Sequence, residues 1–197
     1  NRSVALDEDE ERVMWTKGVL GVKNPFSILF SLWYHITLLM GLRSREEHRN
    51  IQFGDVTVQR NGLDVEFLQF RERVSKTRNG ALRDDARPTT PKIWCSCQTS
   101  GRDHCVVEIF KEFINHRPVD YRKESDPFYV QYKTDTQISN SKTNVWFKRE
   151  PLGVGSLGKF LPKACQLAGL PVRGNHGVRA TTVQRLREAD ETGRAHV

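Results

Sequence analysis

The side chains with reactive or anion-binding chemistry fall into a few short segments, and their spacing is the first thing to read. His176 and Arg179 stand three positions apart in Asn175-His176-Gly177-Val178-Arg179. A helix there puts both on one face. Arg43 closes a long apolar stretch in Gly41-Leu42-Arg43-Ser44-Arg45-Glu46. Lys76 lies in Val74-Ser75-Lys76-Thr77-Arg78-Asn79-Gly80, where Asn-Gly marks a turn. Guanidinium groups stay charged and grip oxyanions with two parallel bonds, whereas an ammonium can also release a proton when its surroundings lower its pKa. Taken singly, each group has an ordinary reading. Arg43 reads as a cation at a helix C terminus, Lys76 as one turn base beside Arg73 and Arg78, His176 as a helix cap and Arg179 as a surface cation. Glu46 reads as a group that orients a buried Arg, and His35 as a satisfied core residue.

Cys95-x-Cys97 and His104-Cys105 bring metal-binding residue types into one loop. Their spacing is not that of a usual finger, and no second Cys-x-x-Cys supports it. Loop thiols without a metal are the expectation, with Cys165 a core residue; no metal and no cofactor are assigned.

The elements that must position these groups are mostly helical. Residues 7–20 carry acids ahead of Val13, Met14 and Trp15, which suits a helix N terminus, and Gly18 and Gly21 break that helix. Residues 24–42 open with Asn24 as N-cap and Pro25 at the first helical position, with apolar residues at a helical period. A charged helix or turn follows over Ser44–Asn50. Residues 51–75 read as strands around the Asn61-Gly62 hairpin signal, and 83–104 as irregular. A helix is expected over 105–116, ended by Arg117-Pro118, and a strand over 127–132. One helix is expected over 156–169, ended by Gly169, and a last one over about 176–189, capped by Asn175. The expected class is α+β: mainly helical, with a small antiparallel sheet inserted after the second or third helix.

The chain has 197 residues, 37% of them apolar and 28% charged, with ten Phe, four Trp and four Tyr. That aromatic content supports a folded core and argues against disorder. Lys and Arg number 31 against 24 acids, a net charge of +7, which fits a polyanionic partner. The charge is uneven. Residues 1–20 hold five acids and three bases, and residues 141–197 hold ten bases and four acids. The front reads as a solvated acidic lead-in and the back as the polyanion face. Ser27, Ser31, His35 and Thr37 interrupt the most apolar run, so it reads as a buried helix and no membrane partner is expected. Four Cys without a secretory signal point to a reduced intracellular compartment.

In combination the segments carry more than they do alone. The Gly41–Glu46 segment resembles the first signature box of the tyrosine recombinase (phage integrase) superfamily, and His176-x-x-Arg179 resembles the second. Lys76 falls between them, where that family places a Lys in a β-turn. The wording around GLRSREEHRNIQFGDV and KIWCSCQ…VVEIFKEFINHRP resembles the Crypton-derived branch, similar to the C-terminal domains of animal zinc-finger MYM-type and glutamine-rich nuclear proteins. The resemblance implies a recombinase catalytic-domain fold, with residues 1–20 as lead-in and first helix and 21–197 as the catalytic-type domain. In that family a Tyr hydroxyl attacks a DNA phosphodiester to give a 3′-phosphotyrosyl bond. The resemblance implies that Arg43 and Arg179 hold the non-bridging oxygens, that Lys76 protonates the leaving 5′ oxygen, and that His176 contacts the phosphate or passes a proton. The family's nucleophile would fall beyond Val197, and no Tyr follows Tyr132. A nuclear DNA-binding domain inactive as given is therefore the expectation, with self-association among its partners. The alternative is a fragment of a strand-exchange enzyme, and a third is a functionless transposon relic.

Overall fold

The most apolar stretch of the sequence becomes the axis of the fold. In the computed structural model, which describes residues 4–40, 42, 45–71 and 92–194, helix α2 spans Pro25–Met40. Asn24 caps it through Oδ1, which accepts from the Ser27 N–H at 2.9 Å. Phe26, Ile28, Leu29, Phe30, Leu32, Trp33 and Tyr34 are all buried, so apolar side chains face every direction, as in a helix enclosed by its neighbours. Each such side chain contributes about 1.5–3 kcal/mol on burial. The hydroxyls that interrupt the run are satisfied within the protein. Ser27 Oγ donates to the Gly18 carbonyl at 2.6 Å, Ser31 Oγ accepts from Gly21 N–H at 2.8 Å, and Thr37 Oγ1 donates to the Trp33 carbonyl at 2.7 Å. His35 is held likewise, with Nδ1 2.8 Å from the Ser31 carbonyl.

Helix α1 (Glu8–Thr16) starts at a capping box between Asp7 and Glu10, as its acidic first turn implies, and it ends before Gly18, whose φ of +67° favours glycine. Helix α3 spans Arg45–Arg49. Strands β1 (Val56–Arg60), β2 (Glu66–Phe70) and β3 (Lys92–Trp94) form an antiparallel sheet in that order. The β1–β2 connection is longer than a two-residue Asn-Gly turn. Asn61 Oδ1 accepts from both Leu63 and Val65 N–H at 2.9 Å, and the positive φ of 60° falls on Asp64. An Asx turn organises this loop, so the side chain of Asn61 matters more than Gly62.

The segment expected to be irregular contains β3 and a short helix, α4 (Cys97–Ser100). Helix α5 (Val106–His116) buries Val107, Ile109, Phe110 and Phe113 against α2 and ends at Arg117-Pro118. Then come β4 (Val130–Tyr132), α6 (Asp135–Ser139) and β5 (Phe147–Pro151); β4 and β5 pair antiparallel with a bulge. β4 falls within the strand expected over 127–132, but its partner was not legible, because β5 reads as a charged stretch with Phe147 as its buried residue.

The single helix expected over 156–169 is two, α7 (Val154–Leu157) and α8 (Phe160–Ala168). Pro162 is the reason. In a continuous helix its ring would meet the carbonyl of Gly158, four residues back, so it is tolerated only in a first turn. Gly169 closes α8 in the left-handed conformation at φ 69°. Helix α9 runs over His176–Arg194 and packs on α2. Phe160 packs edge-on against Phe26, Phe30, Trp33 and Tyr129, joining α8, α2 and β4 in one core. The α+β class holds. Among the described residues no helix is long and apolar enough to cross a membrane.

The buried cation of the fold is not one that its sequence singles out. Arg117 is fully buried and donates to three carbonyls: Tyr121 at 2.5 Å, Pro127 at 2.7 Å and Phe128 at 2.9 Å. Its guanidinium also lies 4.7 Å from the Phe53 ring centre. Burial lowers its pKa to about 10, so the group stays protonated at neutral pH.

Candidate nucleic-acid interface

The chain on either side of Arg43 and the start of α9 are linked through Leu38, Arg45, Asn175 and Thr182. Thr182 Oγ1, on the second turn of α9, donates to the Leu38 carbonyl at 3.3 Å on the last turns of α2. Beyond α2, Arg45 opens α3 and its side chain lies over Gly158; a Cβ there would stand 2.6 Å from Arg45 Cδ and 3.0 Å from Nη1. From the other side, Asn175 Nδ2 donates to the Leu157 carbonyl at 2.7 Å, and its Oδ1 accepts from Leu161 N–H at 3.0 Å. Asn175 therefore spends its carboxamide on the α7–α8 junction, where the sequence suggested a cap for α9. Arg45 and Asn175 thus reach the same short turn.

His176 and Arg179 occupy the first turn of α9, His176 exposed and Arg179 half-buried, while Gly177 and Val178 between them face the core. Gly177 allows this close approach: a Cβ there would lie 3.0 Å from the Val4 carbonyl and 3.2 Å from Leu161 Cδ2. Arg43 and Lys76 lie outside the described residues. Lys76 belongs to the connection between the antiparallel strands β2 and β3, and Arg43 to the link between α2 and α3. Glu46 is exposed on α3.

A buried triad fixes α3 just after box one. His48 Nε2 is 3.0 Å from Thr37 Oγ1 on α2, and His48 Nδ1 is 3.1 Å from the Tyr129 hydroxyl beside β4. Thr37 already donates to Trp33, so it accepts from His48 Nε2–H, and Nδ1 then accepts from Tyr129. Burial pulls the His48 pKa down to about 3, so the ring is neutral at physiological pH. Burial likewise pushes the Tyr129 phenol above its usual value.

Motif reading missed two nearby cations. Lys159 and Lys163 line a cleft of about 450 Å³ together with Phe26, Gln131 and Tyr132. Lys163 Nζ sits 4.4 Å above the Phe26 ring and donates to Tyr132 hydroxyl at 3.1 Å. The uneven charge of the C-terminal part was the one available signal for them.

The acidic lead-in is not simply solvated, and that expectation is corrected. Glu10 pairs with Arg173 at 2.6 Å, both side chains mostly covered, and Glu11 pairs with Arg185 while accepting from Tyr34 hydroxyl at 2.9 Å. Helix α1 is amphipathic in charge as well as in hydropathy: it inserts Met14 into the core and turns two carboxylates toward the C-terminal segment. Two of the cations counted there are thereby neutralised locally. Leu6 extends the same seam, its N–H donating to Thr181 Oγ1 at 2.8 Å on α9.

The cysteines also depart from a plain loop. The Sγ atoms of Cys95, Cys97 and Cys105 lie within 4.8 Å of one another, while Cys165 is buried in α8 as expected.

These features define an α+β domain in which α9 is bonded to the last turns of α2 through Thr182 and Leu38. The chain belongs to the family described as Domain of unknown function (DUF3504), whose model matches residues 6–166 and so ends within α8, before His176 and Arg179. Among named proteins it is 24% identical over 180 residues to Zinc finger MYM-type protein 2 of Homo sapiens, covering 85% of this chain and 13% of that protein. It is 23% identical over 162 residues to Zinc finger MYM-type protein 3 of Homo sapiens, covering 77% of this chain and 12% of that protein. The chain thus spans about an eighth of the length of these relatives.

Proposed function

We propose that this chain is a tyrosine-recombinase-type domain of the Crypton-derived branch that holds duplex DNA by its phosphates in the nucleus and performs no strand transfer by itself. One observation carries the reading: the segments flanking Arg43 and those carrying His176 and Arg179 are tied together, by Thr182 to Leu38 and by Arg45 and Asn175 to the α7–α8 turn. A guanidinium pair, Arg43 with Arg179, suits a single phosphate, whose non-bridging oxygens accept forked, charge-assisted bonds. Arg45, whose side chain lies over Gly158, and the cleft residues Lys159 and Lys163 add positive charge for the strand on either side.

Catalysis needs a nucleophile beside these cations. Tyr34 and Tyr129 are buried, with hydroxyls donating to Glu11 and bonded to His48, and burial raises both phenols well above their usual pKa. The Tyr121 ring lies against the Arg117 guanidinium, and Tyr132 accepts from Lys163. None of these follows box two in the chain, where the recombinase resemblance puts the attacking residue.

A nicked duplex that traps 3′-phosphotyrosyl links tests this. On a denaturing gel, the chain alone should give no covalent adduct with labelled DNA while still binding it under native conditions. An adduct formed only by a C-terminally extended chain would move the reading to an active strand-exchange enzyme. An adduct formed by the chain alone would overturn the assignment of boxes.

A further inference from the structure

The three clustered thiols come from three different elements. Cys95 follows β3, Cys97 opens α4, and Cys105 is the residue before α5. Cys95 and Cys97 Sγ are 3.1 Å apart, Cys105 and Cys95 Sγ 3.5 Å, and all three pairs are within 4.8 Å. A tetrahedral zinc with Zn–S bonds of about 2.3 Å places its sulfurs roughly 3.8 Å apart, the middle of this range. A disulfide would need about 2.05 Å and would leave the third thiol over.

The surroundings suit thiolates. Cys105 is fully buried, and its sulfur accepts from the Ser96 backbone N–H at 3.4 Å, the kind of second bond that orients a metal ligand. Cys95 and Cys97 are half-buried, so the fourth corner opens toward solvent. The stretch from Cys95 to Cys105 is built of short turns with few apolar anchors, and it links β3 to α5. A cross-link there would hold the small sheet against the helical body.

We propose that Cys95, Cys97 and Cys105 form a structural three-thiolate site for a soft, tetrahedral divalent cation, zinc by chemical class, with the fourth position taken from the solvent side. This site is separate from the proposed phosphate-binding surface and stands or falls independently of it.

Zinc content and cobalt spectroscopy under reducing conditions test the site. The purified chain should hold one zinc per molecule. Cobalt in place of zinc should give the visible bands of a tetrahedral ion with a thiolate charge-transfer band. Cys97→Ser should lose the stoichiometric metal, with far-ultraviolet circular dichroism checking its fold. A second measurement does not depend on a variant: alkylation followed by mass spectrometry should find Cys95, Cys97 and Cys105 protected with zinc present and modified after chelation, whereas Cys165 should be unaffected by the metal. A chain that takes up neither zinc nor cobalt overturns the proposal. So does equal alkylation of the three thiols with and without chelator, or full metal retention in Cys97→Ser.

Discussion

Arg43→Ala combined with Arg179→Ala should weaken binding to duplex DNA by roughly 10- to 100-fold at low salt. Each guanidinium supplies charge-assisted hydrogen bonds to phosphate, and such bonds contribute about 1.5–3 kcal/mol when formed, less where water competes. Losing the one phosphate that the two guanidiniums share should also flatten the dependence of log affinity on log salt by about 0.9. Arg149→Ala is the comparison for each single Arg→Ala change. It removes one positive charge, but from a guanidinium already 2.8 Å from the Asp120 carboxylate on an exposed surface. It should change affinity far less. If Arg149→Ala weakened DNA binding as much as either single change, net charge alone would account for binding and the two boxes would have no special place in it.

Acid should destabilise the fold through His48 well before general acid unfolding. The sign follows from the direction of the shift. In the folded chain burial holds the His48 pKa at about 3, against an ordinary 6.5. Between those values the unfolded chain binds a proton that the folded chain refuses, so stability rises with pH across the window and is lost as pH falls from about 6.5 toward 3. A difference of this size corresponds to roughly 5 kcal/mol over the whole window. Protonation would also put a hydrogen on Nδ1, where the Tyr129 hydroxyl now donates, and so break the link from α3 to β4. Urea midpoints measured from pH 7 to pH 4 should fall steeply in the parent chain, and His48→Gln should be less stable at pH 7 but show a shallower fall. Parallel pH profiles for the two would remove His48 from the account. The triad matters to function because α3 begins two residues after Arg43, and His48 is the side chain that anchors it to α2 and to Tyr129.

The sequence was a good guide where local chemistry decides structure. Asn24-Pro25 marks the start of α2 because an N-cap acceptor and a preset φ act within one turn, and Gly169 ends α8 for an equally local reason. It was a poor guide where distant residues decide. Phe147–Pro151 becomes a strand because β4 lies beside it, and its charged residues give no strand periodicity. Arg117 looked like punctuation after a helix, yet three carbonyls from the 121–128 loop enclose it. The acidic lead-in looked solvated because Arg173 and Arg185 are more than 160 positions away from Glu10 and Glu11. The thiols could be read as neighbours in one loop, but the convergence of their sulfurs could not, since it follows once α5 packs against β3. Of the candidate site, the order of the boxes could be read along the chain, and the ties between them, Asn175 to Leu157 and Thr182 to Leu38, could not.

The affinity of the parent chain for short duplexes of two unrelated sequences, followed by fluorescence anisotropy as salt is raised, tests DNA-phosphate binding most directly. The account predicts binding to both duplexes at low salt, with log affinity falling linearly against log salt at a slope of several phosphates, about 0.9 for each. A folded chain that binds neither duplex at low salt, or one whose affinity does not change with salt, would contradict it.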